Sequence, residues 1–325
     1  MARQALGPNA LRVGQAVRAA LTGVDEAVVG CSGGPDSMAL ALGAQWASRF
    51  TGTSVSALIV DHQLQHGSAR VAERTREVLE QRGLDATVLT VEVVDEGEGP
   101  EAAARQARRQ ALVEAAGEAV VLLGHTLDDQ AETVLLRLTR GSGPASLAAM
   151  EPSRGPFRRP LLEVRRATTE EACREWGVDP WHDPHNSDPR FLRSRVRRDV
   201  MPVLEDVLGP GVAEALARSA ALCRQDDLAL AAQARQWWVE GHRRPGQGPL
   251  DVAALEGVSR AVASRVVKTW LEAHGGPVGR RHVEDVLGLP TRRGGAGVDV
   301  PGGRVEHRAG RLTWRSAAAQ ERGQG

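Results

Sequence analysis

The sequence is poor in several residue types that would point to particular functions. It has no tyrosine, only 3% aromatic residues, three widely spaced cysteines, and one lysine, Lys268, among 41 basic residues. The cysteines form no C-x-x-C pair, so zinc, iron–sulfur and thiol-redox sites are not indicated. Few aromatic rings leave little surface for base stacking, and nearly every cation available to a phosphate is a forked guanidinium.

The chain also lacks a net charge and a long hydrophobic run. Its 41 acidic and 41 basic residues balance, so any contact with nucleic acid has to come from a local patch. No window approaches the ~18 apolar residues of a membrane span, and the first residues do not form the apolar core of a signal peptide. With 325 residues, 42% of them hydrophobic, we expect a globular protein of two or three domains in the reducing cytoplasm.

Short apolar runs alternate with helical patterns in the first 140 residues. The runs lie at 27–29, 55–60, 87–91 and 119–123, and the helical patterns lie at 9–22, 68–82, 101–116 and 128–138. This alternation predicts an α/β fold with a doubly wound, mainly parallel sheet and flanking helices. Further helices are expected at 168–176, 190–208 and 211–240, and a helical linker then leads to a small α+β C-terminal domain.

A glycine-rich turn joins the first apolar run to a helical pattern. It consists of Ser32, Gly33, Gly34, Pro35, Asp36 and Ser37. Free N–H groups and the positive end of a helix dipole favour a phosphate at such a junction, and glycines let the phosphate approach the backbone. The serine hydroxyls can donate to phosphate oxygens, and Asp36 is a candidate ligand for Mg²⁺. An ordinary Gly-Pro turn is the alternative interpretation.

A second polar string, at 125–133, follows the fourth apolar run. On a helix, Asp128, Asp129 and Glu132 lie at i, i+1 and i+4, so Asp128 and Glu132 share one face. The cap of a solvated helix is the ordinary interpretation of two such aspartates. In doubly wound sheets, however, ligands bind beyond the carboxyl ends of the strands, where this string and the glycine-rich turn both fall. We therefore predict one site that contains both segments.

Several stretches, taken in order, resemble one family. They are Ser-Gly-Gly-Pro-Asp-Ser at 32–37, Asp-His-Gln-Leu at 61–64, Glu-Ala-Ala-Ala-Arg-Gln-Ala-Arg at 101–108, His-Thr-Leu-Asp-Asp-Gln-Ala-Glu-Thr at 125–133, Arg-Gly-Ser-Gly at 140–143, Arg-Pro-Leu-Leu at 159–162, Asp-Pro-His-Asn-Ser-Asp at 183–188 and Arg-Ser-Arg-Val-Arg at 193–197. The first resembles the pyrophosphate loop, or PP-loop, of the N-type ATP pyrophosphatases. The whole set resembles the tRNA(Ile)-lysidine synthases, although Ser194 stands where that family usually has asparagine.

The resemblance implies a two-step reaction on RNA. With ATP and Mg²⁺, the enzyme would adenylate the C2 carbonyl oxygen of the wobble cytidine in an isoleucine tRNA with a CAU anticodon, and the ε-amine of free L-lysine would then displace AMP. Residues 32–37 and Arg105 would bind ATP, with Asp36 on Mg²⁺. The catalytic residues implied are Asp36, His125, Asp128, Asp129 and Glu132. The carboxylates at 128, 129 and 132 would bind the ammonium group of lysine, and one of them would accept a proton from it.

An arginine-rich segment is the predicted contact to tRNA. It contains Arg190, Arg193, Arg195, Arg197 and Arg198. This density favours contacts to tRNA phosphates over a solvated helix face. The expected partners are therefore the tRNA and free L-lysine, with no membrane; the sequence leaves a homodimer open.

The resemblance also gives a division into domains. We predict a PP-loop catalytic domain at 1–210, a helical linker at 211–248, a small tRNA-binding domain at 249–316 and a disordered tail at 317–325. Two alternative functions remain. A tRNA thiolase built on the same loop would need cysteine sulfur carriers or a cluster, and a non-catalytic nucleotide-binding module would not need the acidic string.

Overall fold

The computed structural model of the chain describes residues 6–61, 63, 67–91, 100–141, 143–181, 190–241, 244–292 and 297–316. The chain forms two units, Met1–Cys223 and Arg224–Gly325. The predicted tail lies outside the described residues. The predicted domain boundaries at 210 and 248 stay predictions.

The first unit is built on one sheet. Its strands are β1 (Glu26–Cys31), β2 (Ser54–Asp61), β3 (Ala86–Thr90), β4 (Val120–Leu123), β5 (Ser153–Arg154) and β6 (Phe157–Arg158). They are ordered β3-β2-β1-β4-β6-β5, and β5–β6 is the antiparallel pairing at the edge of an otherwise parallel set. The predicted α/β fold with a mainly parallel sheet is confirmed. The sequence pattern missed the β5–β6 hairpin because each strand has two residues.

Helices cover both faces of this sheet. The helices of this part of the chain are α1 (Pro8–Leu21), α2 (Pro35–Thr51), α3 (Ser68–Gln81), α4 (Pro100–Ala116), α5 (Leu127–Leu138), α6 (Pro144–Leu147), α7 (Arg166–Glu175), α8 (Leu192–Arg195), α9 (Met201–Leu208) and α10 (Val212–Glu240), of which α10 continues into the second unit. Successive side chains of a strand point to opposite faces. Val29 therefore joins the core under α1, α2 and α7, whereas Val28 packs with Leu112 of α4. This two-sided burial explains the uninterrupted apolar run of β1.

The segment 190–208 differs from the single helix that its sequence predicts. A π-helical turn, Val196–Val200, separates α8 from α9. Pro202 lies in the first turn of α9 and has no N–H to donate, so the regular hydrogen-bond ladder cannot run through this position. The wider turn places Arg197 in an irregular part of the backbone, as is frequent near functional sites.

The second unit has its own core. Its strands β7 (Leu250–Asp251), β8 (Gly297–Val300), β9 (Gly303–Arg308) and β10 (Arg311–Ser316) form an antiparallel sheet, accompanied by α11 (Val252–Glu256), α12 (Arg260–Gly275) and α13 (Arg280–Leu287). Trp238 and Trp270 are buried in this core, at 5% and 0% exposure. The predicted small α+β domain is confirmed. Throughout the described residues, no helix combines the length and apolar character needed to span a bilayer.

Candidate active site

A cavity of about 630 Å³ lies where β1 and β4 end and where α2 and α5 begin. The predicted residues that line it are Ser32, Gly34, Pro35, Asp36, Ser37, Arg105, His125, Asp129, Arg193 and Arg197. Gly33, Asp128 and Glu132 are not among its lining residues. The structure thus brings the glycine-rich turn and the acidic string together at the carboxyl edge of the sheet, where ligands bind in this class of fold.

Ser37 holds the glycine-rich turn in shape. Its Oγ accepts a hydrogen bond from the Ser32 backbone N–H at 3.1 Å and donates one to the Gly34 carbonyl at 3.0 Å. Because Ser37 is buried and its proton is given to Gly34, this side chain organises the turn from within. The Ser32 residue is exposed and lines the cavity, so its hydroxyl is the better placed of the two for a ligand.

Two glycines are required by close approaches around the turn. Gly33 has φ +81°, and a Cβ there would lie 2.5 Å from Thr75 Oγ1. Gly124, directly after β4, is restricted by a close approach alone, since a Cβ would lie 3.0 Å from the Asp36 carbonyl oxygen and 3.1 Å from the Ser37 nitrogen. A side chain at position 124 would therefore push β4 away from the first turn of α2, which carries Asp36.

Asp36 is a partly buried carboxylate in the first turn of α2. Its Oδ1 accepts a hydrogen bond from the Thr169 hydroxyl, and its Oδ2 accepts one from Arg166 Nε at 3.3 Å. Burial raises the pKa of Asp36 to about 6, although Arg166 opposes this, and the nearby Asp129 charge raises it as well. Mg²⁺ in nucleotide sites is typically held by one or two carboxylates together with phosphate oxygens. Asp36, which lines the cavity next to the glycine-rich turn, fits such an ion.

Asp129 both caps α5 and pairs with arginines. Its Oδ2 accepts hydrogen bonds from the backbone N–H and the hydroxyl of Thr126, at 2.7 and 2.9 Å. Its Oδ1 accepts from Arg166 at 2.9 Å and from Arg193 at 3.0 Å. Burial would raise the pKa of Asp129, but the two arginines and the cap lower it to about 2. The interpretation of this residue as a helix cap is therefore correct, but the cap is buried.

Glu132 completes a set of three buried or partly buried carboxylates, Asp36, Asp129 and Glu132, which we call the acidic cluster. Glu132 is 1% exposed and pairs with Arg193 at 2.8 Å, Arg197 at 2.7 Å and Arg166 at 3.3 Å. Arg166 contacts all three members of the cluster. Three guanidinium groups thus balance three carboxylates, as burial of such charges requires.

The arginines predicted to contact tRNA divide into two groups. Arg193 and Arg197 turn inward to the acidic cluster, whereas Arg190, Arg195 and Arg198 are exposed. The physical reason is that the buried carboxylates would be uncompensated without the inward pair. Two arginines of this segment therefore stabilise buried carboxylates, and the contact to tRNA phosphates stays a prediction for the three exposed ones.

A smaller cavity of about 200 Å³ shares Arg166 and Arg197 with the large one. Its walls combine acidic, basic and apolar side chains: Asp128, Glu132, Arg165, Arg166, Arg197, Met201, Pro202 and Glu205. Asp128 accepts a hydrogen bond from the Arg166 backbone N–H at 2.7 Å and pairs with Arg165 at 3.0 Å. Carboxylates beside an apolar wall suit a ligand that has an ammonium group on an aliphatic chain.

Another part of the large cavity is basic. Arg105, Arg108 and Arg109 of α4 line it together with Arg159, and we call these four residues the basic wall. His125 lines the same cavity, and its Nδ1 is buried without a hydrogen bond to the described residues. Burial lowers the pKa of His125 to about 3, so its imidazole is neutral at pH 7.

Sequence reasoning did not select Arg108, Arg159, Arg166 or Thr169 for the site. Arg108 and Arg159 lie in stretches that carry the family resemblance, which is the signal that could have found them. Arg166 and Thr169 lie in the first turn of α7, which begins two residues earlier than predicted. The stretch at 183–188, Ser142 and the residues at 62 and 64–66 lie outside the described residues.

Comparisons with known proteins decide the family. The PP-loop domain family matches residues 10–204, and the TilS substrate binding domain family matches residues 250–313. The tRNA(Ile)-lysidine synthase of Cutibacterium acnes is 59% identical over 314 residues, which cover 96% of this chain and 98% of that protein. The chain belongs to the tRNA(Ile)-lysidine synthase family.

A second relative supports this membership, and a solved structure shares the fold of the chain. The tRNA(Ile)-lysidine synthase of Thermobifida fusca is 47% identical over 85% of this chain and 87% of its own length. A solved structure of the U34-tRNA thiolase NcsA from Methanococcus maripaludis, with its 4Fe-4S cluster, is similar with a TM-score of 0.56 and 19% identity. That match covers 66% of this chain and 79% of the thiolase and shows a shared fold alone.

Proposed function

We propose that this chain forms lysidine, using ATP to join free L-lysine to C2 of the wobble cytidine in an isoleucine tRNA with a CAU anticodon. The observation that carries the proposal is that the glycine-rich turn and two members of the acidic cluster, Asp36 and Asp129, line one cavity of about 630 Å³. Activating a carbonyl oxygen with ATP needs a phosphate site, and capturing an amine needs carboxylates. The family membership supports the same reaction.

For adenylation, Ser32, Gly33 and Gly34 would hold the triphosphate at the start of α2, with Arg105 as a further contact to the nucleotide. Mg²⁺, when bound at Asp36, would neutralise charge on the phosphates. His125 is neutral, so it can donate a hydrogen bond toward a phosphate or a departing oxygen but does not supply a fixed positive charge. Its buried Nδ1, which has no hydrogen-bond partner among the described residues, supports such a role.

For lysine capture, the smaller cavity offers Asp128 and Glu132 beside Met201 and Pro202. The amine must lose a proton before it attacks, so a carboxylate has to accept one. Asp129 is a weak base, because arginines and the helix cap lower its pKa to about 2 against the effect of burial. We assign Asp129 to positioning the arginines, and we assign acceptance of the proton from lysine to Asp128 or Glu132.

For tRNA binding, the exposed arginines Arg190, Arg195 and Arg198 would contact phosphates, while Arg193 and Arg197 hold the acidic cluster. The match of residues 250–313 to a TilS substrate binding domain supports a second contact in the C-terminal unit. The reaction would take place in the cytoplasm, where its tRNA is found. Cys31 and Cys173 give a thiolase activity no support, because they are packed in the core at 1% and 0% exposure.

The test is mass spectrometry of tRNA nucleosides after reaction with isotopically labelled lysine. We expect labelled lysidine to form only when ATP, lysine and the CAU-anticodon isoleucine tRNA are all present, with pyrophosphate released in step. An elongator methionine tRNA with the same anticodon is the matched control substrate. Pyrophosphate release that is equal with and without tRNA, or a tRNA that gains no label, would refute the proposal.

A further inference from the structure

A groove of about 610 Å³ adjoins the large cavity, and Arg105 is the one residue of its lining that the proposed handling of ATP or lysine uses. Arg105 and Arg109 line both spaces, so they mark the junction. From there the groove runs along α4, past Gln106, Gln110 and Val113, with Phe157 of β6 at its base. It is therefore a continuation of the site away from the acidic cluster.

Three arginines meet at the junction: Arg105 and Arg109 line both spaces, and Arg159 lines the large cavity beside them. Arg159 is 7% exposed, and its Nη1 donates to the Glu151 carbonyl at 2.8 Å, while its buried Nε has no partner among the described residues. Burial lowers the pKa of Arg159, and the neighbouring Arg109 and Arg105 lower it further. Guanidinium groups held this close repel one another, so an anion placed between them is stabilised.

The rest of the groove suits a nucleoside rather than a bare phosphate. The Arg109 guanidinium carbon lies 4.6 Å from the centre of the Phe157 ring, which holds the guanidinium over the aromatic face. The exposed amides of Gln106 and Gln110 lie one turn apart on the same helix face, and Gln110 donates to Glu114 at 2.8 Å. Bases of unpaired RNA stack on arginine planes and hydrogen-bond to such amides through their edges.

We propose that this groove binds the nucleotide next to the modified cytidine, with its phosphate on Arg109 and Arg159 and its base or ribose along α4. The inference rests on the proposed function. ATP and the acceptor cytidine have to meet in the large cavity, because the C2 oxygen of the base attacks the α-phosphorus of ATP there, receives the adenylyl group and displaces pyrophosphate. The chain of the RNA must then leave through a positively charged opening, and the arginines shared by the two spaces provide it.

The experiment compares Arg109→Gln with Arg12→Gln, which removes an exposed arginine of α1 that lines neither space. Fluorescence anisotropy measures binding of a 17-nucleotide anticodon stem-loop at several salt concentrations, and calorimetry measures binding of a non-hydrolysable ATP analogue. For Arg109→Gln we expect roughly tenfold weaker RNA binding and a salt slope smaller by about one. We expect ATP-analogue binding within twofold of wild type, and Arg12→Gln should match wild type in both assays.

Neutral methylphosphonate linkages, placed singly on either side of the wobble cytidine, identify the phosphate. At one position the substitution should weaken wild-type binding but leave Arg109→Gln unchanged, and Arg109→Lys should restore part of the salt slope. Unchanged RNA binding in Arg109→Gln would overturn the proposal. A parallel loss of ATP-analogue binding would also overturn it, by assigning the groove to ATP. If wild type forms lysidine in the nucleoside assay while these tests fail, this inference alone is wrong.

Discussion

Replacing Arg166 by glutamine should destabilise the first unit in a pH-dependent way. Arg166 contacts Asp36 at 3.3 Å, Asp129 at 2.9 Å and Glu132 at 3.3 Å, and its side chain is 16% exposed. Without it, Asp129 and Glu132 keep their pairs with Arg193 and Arg197, whereas Asp36 has no other ion pair among the described residues. Removing one partner from a buried ion pair typically costs about 3–5 kcal/mol, because a charge is left uncompensated.

The acidic cluster can escape part of this cost by taking up a proton. The pKa of Asp36 is already about 6 through burial, and it would rise further without Arg166, which lowers it. Protonating a group of pKa about 6 costs about 2.7 kcal/mol at pH 8 and almost nothing at pH 6. In the variant, Asp36 would be protonated in the folded chain and ionised in the unfolded chain, so stability falls as pH rises. We expect a loss of about 3 kcal/mol at pH 8 and about 1 kcal/mol at pH 6.

The measurement is urea-dependent hydrogen exchange of the α5 peptide, which reports on the first unit alone. Arg165→Gln is the matched control: its side chain is 35% exposed and pairs with Asp128 and Glu214. Such partly exposed pairs contribute about 1 kcal/mol or less, so the control should lose little at either pH. Adding Asp36→Asn to Arg166→Gln should remove the pH dependence. Equal losses for the two arginine variants, or a loss for Arg166→Gln that does not change with pH, would refute the argument.

Three further predictions concern catalysis, folding and RNA binding. Asp36→Ala should reduce tRNA-dependent pyrophosphate release at least 100-fold while the circular dichroism spectrum stays unchanged; retained activity would remove Asp36 from the metal role. Burial lowers the pKa of His125 to about 3, so below pH 6.5 this residue takes up a proton in the unfolded chain but not in the folded one. The free energy of unfolding of wild type should therefore fall by up to about 1.4 kcal/mol per pH unit as the pH is lowered. In urea titrations from pH 6 to 4, His125→Gln should show a smaller fall. Arg195→Ala should lower the salt slope of tRNA binding by about one with little change in urea stability, whereas Arg197→Ala should mainly destabilise the fold; the reverse pattern would contradict the inward placement of Arg197.

The sheet could be predicted because its signals are local. Apolar runs such as β2 lie between helical patterns at regular spacing, and parallel strands with crossover helices then follow from chain topology. The hairpin of β5 and β6 escaped this reasoning, since two-residue strands leave no periodicity. The π-helical turn before α9 was not predicted either, although Pro202 in the sequence indicates a break in the helical hydrogen bonds.

The position of the site could be predicted, but its ion pairs could not. The glycine-rich turn and the acidic string follow β1 and β4, so their meeting at one edge is a consequence of the parallel sheet. The contacts of Glu132 with Arg166, Arg193 and Arg197 join residues that are 34 to 65 positions apart in the chain. A run of arginines looks the same in sequence whether its members face solvent or a buried carboxylate, and only tertiary structure separates Arg193 from Arg195.

The near absence of lysine has a physical consequence in the acidic cluster. Arg166 uses Nε, Nη1 and Nη2 for three different carboxylates, at 3.3, 3.3 and 2.9 Å. An ammonium group is a compact point charge and cannot span these separate acceptors from one position, so lysine at 166 would leave part of the cluster uncompensated. The same reasoning applies to an ammonium group that arrives as substrate. Such a group could not make the several contacts that each guanidinium makes with the acidic cluster. Asp128, in contrast, has a side chain that is 19% exposed and lies at the wall of the smaller cavity. The geometry of the arginines thus favours Asp128 as the first carboxylate that an incoming amine meets.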